Sequence, residues 1–309
     1  MLKYLLKRIL LIIPVVIGIT LFIYVVLALA PGDPVSLMLG PDATQSQLAA
    51  MRHELGMDQN VFVRYLIYMK SVLSGNFGTS WLSGRPVLGE FLQRIPHTFA
   101  LACNSLLITI VFGLSMGILA AARQNKPIDN VTLVFALVFS SVPSFWAGLM
   151  LQIVFALKLG WLPSMGVGSI RHMILPAFTL SMISLAGQVR MTRSSMLDVI
   201  NADYIRTARA KGAGEFRVIM RHAVRNGLLP VVTNLGIVFA NAFGGAIITE
   251  TVFAIPGIGV YMINAAKARD VPIVMGVIIF VAIIVAVINL LTDLIYAFID
   301  PRVKMGYVS

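Results

Sequence analysis

The chain has 309 residues, of which 58% are hydrophobic and only 12% are charged, and its net charge is +11. This composition excludes an ordinary soluble domain, which would carry about twice as many charged residues, and it predicts an all-α polytopic membrane protein. The basic residues lie beside apolar segments and no aromatic-basic stacking surface accompanies them. The positive charge therefore indicates the positive-inside pattern and no nucleic-acid partner.

Six apolar segments are long enough to be transmembrane helices. The first begins after Lys3, Lys7 and Arg8 and ends in Ala28-Leu29-Ala30, which resembles the cleavage site of a signal peptide. It is longer than the usual apolar region of a signal peptide, so we interpret it as a retained transmembrane helix. The predicted spans cover about residues 9–30, 98–122, 131–157, 172–190, 228–250 and 271–299.

Lysine and arginine residues predict the orientation of these spans. With the N-terminus inside, fifteen of them fall on inner segments and nine on outer segments. Five of those nine lie in one long outer segment, where the rule weakens. The sequence therefore predicts a multi-pass membrane protein with both termini in the cytoplasm.

A polar outer segment, residues 31–97, separates the first two spans. Asp42 or Thr44 can cap a short helix that ends at Gly56, and a second helix is predicted from Val61 to Leu73. The chain is thus expected to have three regions. These are an N-terminal transmembrane helix (1–30), an extracytoplasmic region with short helices (31–97), and a core membrane domain (98–309) with a cytoplasmic loop at 190–229.

That cytoplasmic loop is basic and mostly polar, and it lies between two spans. Two short helices are predicted in it, Arg206–Lys211 and Glu215–Asn226, with glycines at the break. The glycine break, the mixed charges and the aromatic residues Tyr204 and Phe216 favour an element that docks a soluble partner. The alternative is a loop that contacts anionic membrane lipid, where each basic residue contributes about 1 kcal/mol to binding at the membrane surface.

Four residues are candidates for a translocation path or its gate: Ser140, Pro143, Glu250 and Asp293. Pro143 can kink the third span and face a cavity, or it can produce a plain packing kink. A buried carboxylate at Glu250 or Asp293 costs several kcal/mol unless it is paired or hydrated. The alternative, which the sequence favours, places Glu250 at the outer interface and turns Asp293 toward a partner subunit.

Enzymatic chemistry finds little support in the sequence. Gly113-Leu-Ser115-Met-Gly117 has the spacing of a hydrolase nucleophile elbow, but it lies within a predicted span, so we interpret the glycines as helix-packing positions. No phosphate-binding G-x-x-x-x-G-K-[ST] motif and no histidine or cysteine pair with metal-ligand spacing occurs. The chain is expected to be a conduit, without catalytic residues, metal or bound cofactor of its own.

The cytoplasmic loop resembles the EAA loop of permease subunits of bacterial ABC importers. Gly212 and Leu229-Pro230 match the family positions, and the form of residues 204–212 is similar to the dipeptide, oligopeptide and nickel branch. Arg206 stands where the general motif has glutamate. The resemblance extends to Pro31-Gly32-Asp33-Pro34, 75–80, Arg85-Pro86-Val87, Pro143-Ser144-Phe145-Trp146, 172–176, 190–197, Glu250-Thr251-Val252-Phe253, 256–259, Arg269-Asp270 and Asp300-Pro301-Arg302.

The resemblance implies a type I ABC importer permease fold and uptake of di- or oligopeptides by alternating access. The implied partners are a second homologous permease, two ABC ATPases that hold ATP and Mg, and an extracytoplasmic substrate-binding protein. The ATPase-coupling residues implied are Tyr204, Arg206, Thr207, Ala208, Arg209, Lys211, Gly212, Ala213, Gly214, Glu215 and Phe216.

Other functions are kept as alternatives. A permease for nickel, a metallophore or glutathione would share the same architecture. A secondary transporter or channel belongs to a different class, and it would need internal repeats and intramembrane ionisable residues, neither of which is evident in the sequence.

Overall fold

The structure, a computed structural model, describes residues 2–299. Within that range the chain is helical throughout its regular elements, and its only β-type pairing is an isolated bridge between Thr79 and Pro86. Three π-helical segments interrupt the α-helices: Thr109–Leu114, Gln152–Lys158 and Val218–Ala223. The α-helices are α1 (Leu2–Leu29), α2 (Pro34–Leu39), α3 (Gln45–Glu54), α4 (Val61–Leu73), α5 (Val87–Ile108), α6 (Ser115–Ala122), α7 (Pro127–Ser141), α8 (Ser144–Leu151), α9 (Ile170–Ile200), α10 (Asp203–Ala210), α11 (Glu215–Arg217), α12 (Val224–Gly227), α13 (Leu229–Val252), α14 (Ile258–Lys267) and α15 (Val271–Ile299).

The described part of the chain supplies five helices long and apolar enough to cross a membrane, and a bent helix pair brings the number to six. This confirms the predicted all-α, six-span architecture. The second span is longer than predicted, because helix begins at Val87 and continues through the π-helical segment to Ala122. The predicted domain end at Asp300-Pro301-Arg302 lies outside the described residues.

The fourth span also differs from its predicted end at residue 190. Helix α9 is 31 residues long and ends at Ile200, so the loop that was predicted to be cytoplasmic begins at Asn201 and the 190–197 segment is helical. Buried Val189, Thr192 and Met196 continue the inward stripe at a helical spacing past the apolar stretch. Pro176 is a buried residue inside this helix, which begins at Ile170.

The third span is broken. Helices α7 and α8 meet at Val142-Pro143 with a bend of 103°. The proline fixes its own φ and cannot donate the hydrogen bond that a continuous helix would need. The predicted kink at Pro143 is therefore confirmed, and it is sharp enough to divide the span in two.

Two compact units divide the chain, and each is described separately. The first contains residues 1–96 and 257–286. Two of its helices are fixed by local signals. Of the two predicted caps of α3, Asp42 and Thr44, the cap is Thr44, which forms a capping box with Gln47, and α3 ends at Glu54, two residues before the predicted Gly56. Asn60 caps α4. Tyr24, Tyr65 and Met275 form a small buried cluster that packs α1, α4 and α15 together.

The second unit contains residues 97–256 and 287–309, of which the structure describes those up to 299. Helix α9 is its central element, packed against α6, α7, α8 and α13. Gly113 and Gly117 make this packing close, because a Cβ at Gly117 would lie 2.5 Å from Thr192 Cβ. Ser115 lies on helical backbone, so the nucleophile elbow is excluded and the packing interpretation of the two glycines is confirmed.

Candidate functional site

The loop between α9 and α13, residues 201–228, turns at Gly212. Its φ is +80°, a left-handed conformation that glycine adopts without a steric penalty. The amide of Ala213 donates to Ala208 O at 3.3 Å and the amide of Gly212 to Arg209 O at 2.9 Å. These two bonds form a Schellman motif, which ends α10 and sends the chain back toward Glu215.

A small apolar core holds the loop on the membrane helices. Ile205 of α10 and Val218 and Ala223 of the returning arm are buried against Ala121 and Met196. Val218 and Ala223 are five residues apart, the repeat that a π-helix places on one face. The loop is therefore a folded element seated on the ends of α6 and α9.

The two arms of the loop are also joined by polar contacts. Arg209 donates to both carboxylate oxygens of Glu215, with Nη2–Oε1 at 2.7 Å and Nε–Oε2 at 3.1 Å. Hydrogen bonding from Arg209 holds the pKa of the Glu215 carboxyl below its usual range. Asn226 Nδ2 donates to Tyr204 Oη at 3.0 Å. The turn at Gly212 is thus braced on both sides.

The outward face of the loop carries most of the predicted coupling residues. Two aromatic side chains are exposed on this face: Phe216 is 81% exposed and Tyr204 is 43% exposed. Ala208 and Ala213 instead lie half-buried against the loop core. The other predicted coupling residues are exposed: Arg206, Thr207, Arg209, Lys211, Gly212, Gly214 and Glu215.

The break in the third span forms the second part of the candidate site. Ser140 and Pro143 are both exposed, and Ser140 Oγ donates to Leu137 O at 2.9 Å, as Ser141 Oγ does at 2.8 Å. Non-helical backbone at membrane depth is tolerated only where protein covers it or where it lines a water-filled cavity. The break is therefore a candidate for a surface that faces protein or water.

Glu250 lies near the end of α13, fully buried. Its Oε1 accepts a hydrogen bond from Thr98 Oγ1 at 2.5 Å. Just beyond it, Phe253 and Ile255 are buried in an apolar cluster. Close by, Gln152 Nε2 donates to Val252 O at 3.0 Å and to Ser164 O at 2.9 Å. Hydrogen bonds and apolar packing therefore close this end of α13, and we call the residues around Glu250 and Phe253 the plug.

Asp293 lies half-buried on α15. Its neighbour Thr292 meets Gly236 of α13, where an added Cβ would overlap Thr292 Oγ1. The four predicted path residues thus occupy three different environments: an exposed break at Ser140 and Pro143, a buried plug at Glu250, and a close helix contact beside Asp293.

Two polar contacts near the loop were not anticipated from the sequence. Arg193 donates from Nε and Nη2 to the buried carboxylate of Asp129, at 2.6 and 2.8 Å. Ser195 Oγ donates to Gly227 O at 2.6 Å, and Gly227 leaves no room for a Cβ beside Met196. For the contact between Arg193 and Asp129, the sequence signal was an acidic residue in the first turn of α7 and a basic residue on the part of α9 that extends past the predicted span.

Comparisons with known proteins cover almost the whole chain. Residues 113–305 match the family described as "Binding-protein-dependent transport system inner membrane component", and residues 1–102 match the N-terminal component of the same membrane proteins. A "Dipeptide transport system permease protein DppB" from Alkalihalophilus pseudofirmus is 40% identical, over 98% of this chain and 100% of its own. An "Oligopeptide transport system permease protein AppB" from Bacillus subtilis is 38% identical over the same shares. A "Glutathione transport system permease protein GsiC" from Salmonella choleraesuis is 39% identical, over 98% of this chain and 99% of its own.

Solved structures share the fold at lower identity. An inward-facing structure of the MetNI methionine ABC transporter superposes with a TM-score of 0.58 at 18% identity. It covers 68% of this chain and 96% of the chain compared. This similarity supports the predicted type I permease fold.

Proposed function

This chain belongs to the family of binding-protein-dependent transport system inner membrane components, the permease subunits of ABC importers, and we propose that it carries small peptides across the cytoplasmic membrane. Two of the relatives named above are permeases for dipeptides and oligopeptides, and they match nearly the full chain at about equal identity. The family assignment also removes the secondary transporter and the channel as alternatives. Di- and oligopeptides are therefore the substrate class that we propose first.

The proposed assembly contains four kinds of subunit. This chain pairs with a second homologous permease, two cytoplasmic ABC ATPases bind and hydrolyse ATP with Mg, and an extracytoplasmic binding protein delivers the peptide. Residues 31–97 would form the extracytoplasmic region and residues 98–309 the core permease domain. Fifteen Lys and Arg residues on the inner segments against nine on the outer ones support cytoplasmic termini.

The loop of residues 201–228 is the proposed coupling element. Its exposed Phe216 and Tyr204 would enter a groove on one ATPase, and the basic residues around them would set the register. The apolar core beneath Ile205 supports this role, because a loop fixed to α6 and α9 can move those helices when the ATPase moves. The observation that carries the proposal is an aromatic residue exposed on a folded loop that is braced at its base.

For the translocation path we propose the break at Ser140 to Pro143. The surface there must face protein or water, and small hydroxyl groups suit a polar peptide. Glu250 and the plug around Phe253 would seal the outer end in the conformation described, and alternating access would release them. Asp293 would contribute to the path beside the helix contact between Thr292 and Gly236.

The primary test is purification of the tagged full-length chain from its native cells in mild detergent. We expect two ABC-type ATPases and a second permease to co-purify, and uptake in proteoliposomes to require ATP and the binding protein. Recovery of the chain alone, with uptake driven by an ion gradient, would contradict the proposed assembly.

Glutathione is the second candidate substrate. The glutathione permease relative is 39% identical, against 40% for the dipeptide permease, so identity does not separate them. A competition assay distinguishes the two substrates. Excess unlabelled glutathione should leave uptake of a labelled dipeptide unchanged if peptides are the substrate. Displacement by glutathione at lower concentration than by any dipeptide would reverse the assignment.

A further inference from the structure

Three arginines line one small cavity in the first unit. Arg52, Arg64 and Arg269 surround a space of about 240 Å³ that also contacts Gly32 and Asp33. We call this cavity the arginine pocket. It is separate from the coupling loop and from the helix break, both of which belong to the other unit.

The arginine pocket has an excess of positive charge. Asp33 is the one carboxylate among the residues that line it, and it is paired with Arg52 at 2.8 Å. Within the described chain, no carboxylate lies within ion-pair distance of Arg64 or Arg269. Three guanidinium groups and one carboxylate line the pocket, and Asp58, outside the lining, interacts electrostatically with Arg64, so the pocket keeps an excess of positive charge.

The position of Arg269 is built into the fold. Its φ is +56°, a conformation that a non-glycine residue rarely adopts, and such strain concentrates at functional positions. Its guanidinium donates to Ala30 O at 3.0 Å and also to Pro31 O, at the end of α1. Gly32 makes this approach possible, because a Cβ there would lie 3.2 Å from Arg269 Nε.

The pocket lies at the level where two membrane spans end. Leu27 and Ala28 come from the last turn of α1, and Val271 is the first residue of α15. Tyr24 extends the wall about 7.5 Å below the end of α1 at 1.5 Å per residue. A ligand in the pocket would therefore have its charged group at the membrane surface and an apolar wall toward the bilayer.

From these observations we propose that the arginine pocket binds the phosphate of an anionic phospholipid. Guanidinium groups present paired donors that match phosphate oxygens. A carboxylate from a peptide is the other oxyanion that could enter from the same side. The apolar wall formed by α1 favours the lipid, whose acyl chains can continue along it.

Native mass spectrometry of the full-length chain in mild detergent tests the proposal. Retention of phosphatidylglycerol and of phosphatidylcholine is measured for the wild type, for Arg64→Gln and for Lys70→Gln. Lys70 is exposed on the same helix, α4, and does not line the pocket. We expect the wild type to retain phosphatidylglycerol in preference to phosphatidylcholine. Arg64→Gln should weaken the retention of phosphatidylglycerol about fivefold, and Lys70→Gln should have no effect on it.

Several results would overturn the proposal. Equal retention of both lipids, or equal effects of the two variants, would show that the pocket does not select phosphate. Displacement of phosphatidylglycerol by a dipeptide but not by inorganic phosphate would make it a carboxylate site. If Arg64→Gln fails to fold, Arg52→Gln replaces it, because Arg52 is partly exposed and its removal should weaken phosphatidylglycerol in the same direction.

Discussion

Arg209 and Glu215 connect the two arms of the coupling loop across the Gly212 turn, through hydrogen bonds of 2.7 and 3.1 Å. Both side chains are substantially exposed, so the pair contributes less than about 1 kcal/mol to folding. Its role is geometric, since it fixes the angle between α10 and the returning arm that carries Phe216.

Charge exchange tests this role. Arg209→Glu should fold normally but lower the amount of peptide taken up per ATP hydrolysed, because two adjacent carboxylates force the arms apart. The double variant Arg209→Glu with Glu215→Arg should recover most of the lost coupling. Measurement of uptake and ATPase activity in the same proteoliposomes gives the ratio, and no recovery in the double variant would contradict the geometric role.

The same pair predicts how the loop responds to pH. The pKa of Glu215 is lowered in the folded loop, so the contribution of the pair is complete above the unfolded glutamate pKa of about 4.3. It is lost only as the pH falls through the lower folded-state value. The pair should therefore add no pH dependence to coupling between about pH 5 and pH 8. The difference in coupling between wild type and Glu215→Gln should be constant across that interval.

Gly212 and Gly214 form a matched pair for testing the turn. Gly212 has a φ of +80° and Gly214 has an ordinary φ of −62°, and both have open space where the methyl group of an alanine would lie. Gly212→Ala should cost about 1–2 kcal/mol of local stability in the left-handed conformation, and Gly214→Ala should cost little. Gly212→Arg should still insert in the membrane yet uncouple uptake from ATP hydrolysis, and unimpaired uptake by that variant would count against the coupling assignment.

Phe216 should matter for docking and not for folding. The Phe216→Ser variant should keep its thermal unfolding temperature, because the ring is 81% exposed, but should lose co-purifying ATPases. Phe62, which is 59% exposed on α4 in the other unit, provides the control substitution Phe62→Ser. Equal loss of ATPase in both variants would indicate general damage.

We expect the ion pair of Asp129 with Arg193 to stabilise the folded protein. Asp129 is buried and holds Arg193 through two hydrogen bonds, so Asp129→Asn leaves a guanidinium uncompensated and should cost about 3–5 kcal/mol. The control is Asp203→Asn, whose side chain is 98% exposed. Thermal unfolding of the two variants in detergent should differ by many degrees, and equal melting temperatures would show that the ion pair carries no net stability.

Gly236 should tolerate no side chain. A Cβ there would overlap Thr292 Oγ1, so Gly236→Val should force α13 and α15 apart locally at a cost of about 1–3 kcal/mol. Gly244→Val, on the same helix with nothing within 4 Å of the added carbon, should be nearly neutral. The comparison by thermal unfolding isolates the helix contact, and equal stability of the two variants would disprove it.

Local signals allowed much of the fold to be predicted. The capping residue Thr44, the bounds of α4 and the glycine turn at 212 depend on nearby residues, and the structure has them as expected. The end of α9 was missed because it depends on burial of Met196 beneath the loop, a contact made by residues distant in sequence. The 103° break at Pro143 exceeded what a proline alone indicates, since a single proline is also compatible with a mild kink.

Helix α9 carries a mechanical consequence for the transporter. The whole helix is about 46 Å long at 1.5 Å per residue, and about 32 Å of it separates Thr179, which meets Gly148 in the plug region, from Ile200, which packs in the apolar cluster around Ile205. No loop or hinge separates these two ends, so a tilt imposed on the coupling loop is amplified along a single rigid lever. A displacement of an ångström or two at the cytoplasmic end would thus reach the packing around Phe253 directly, and any flexible insertion within α9 would absorb it before it arrived.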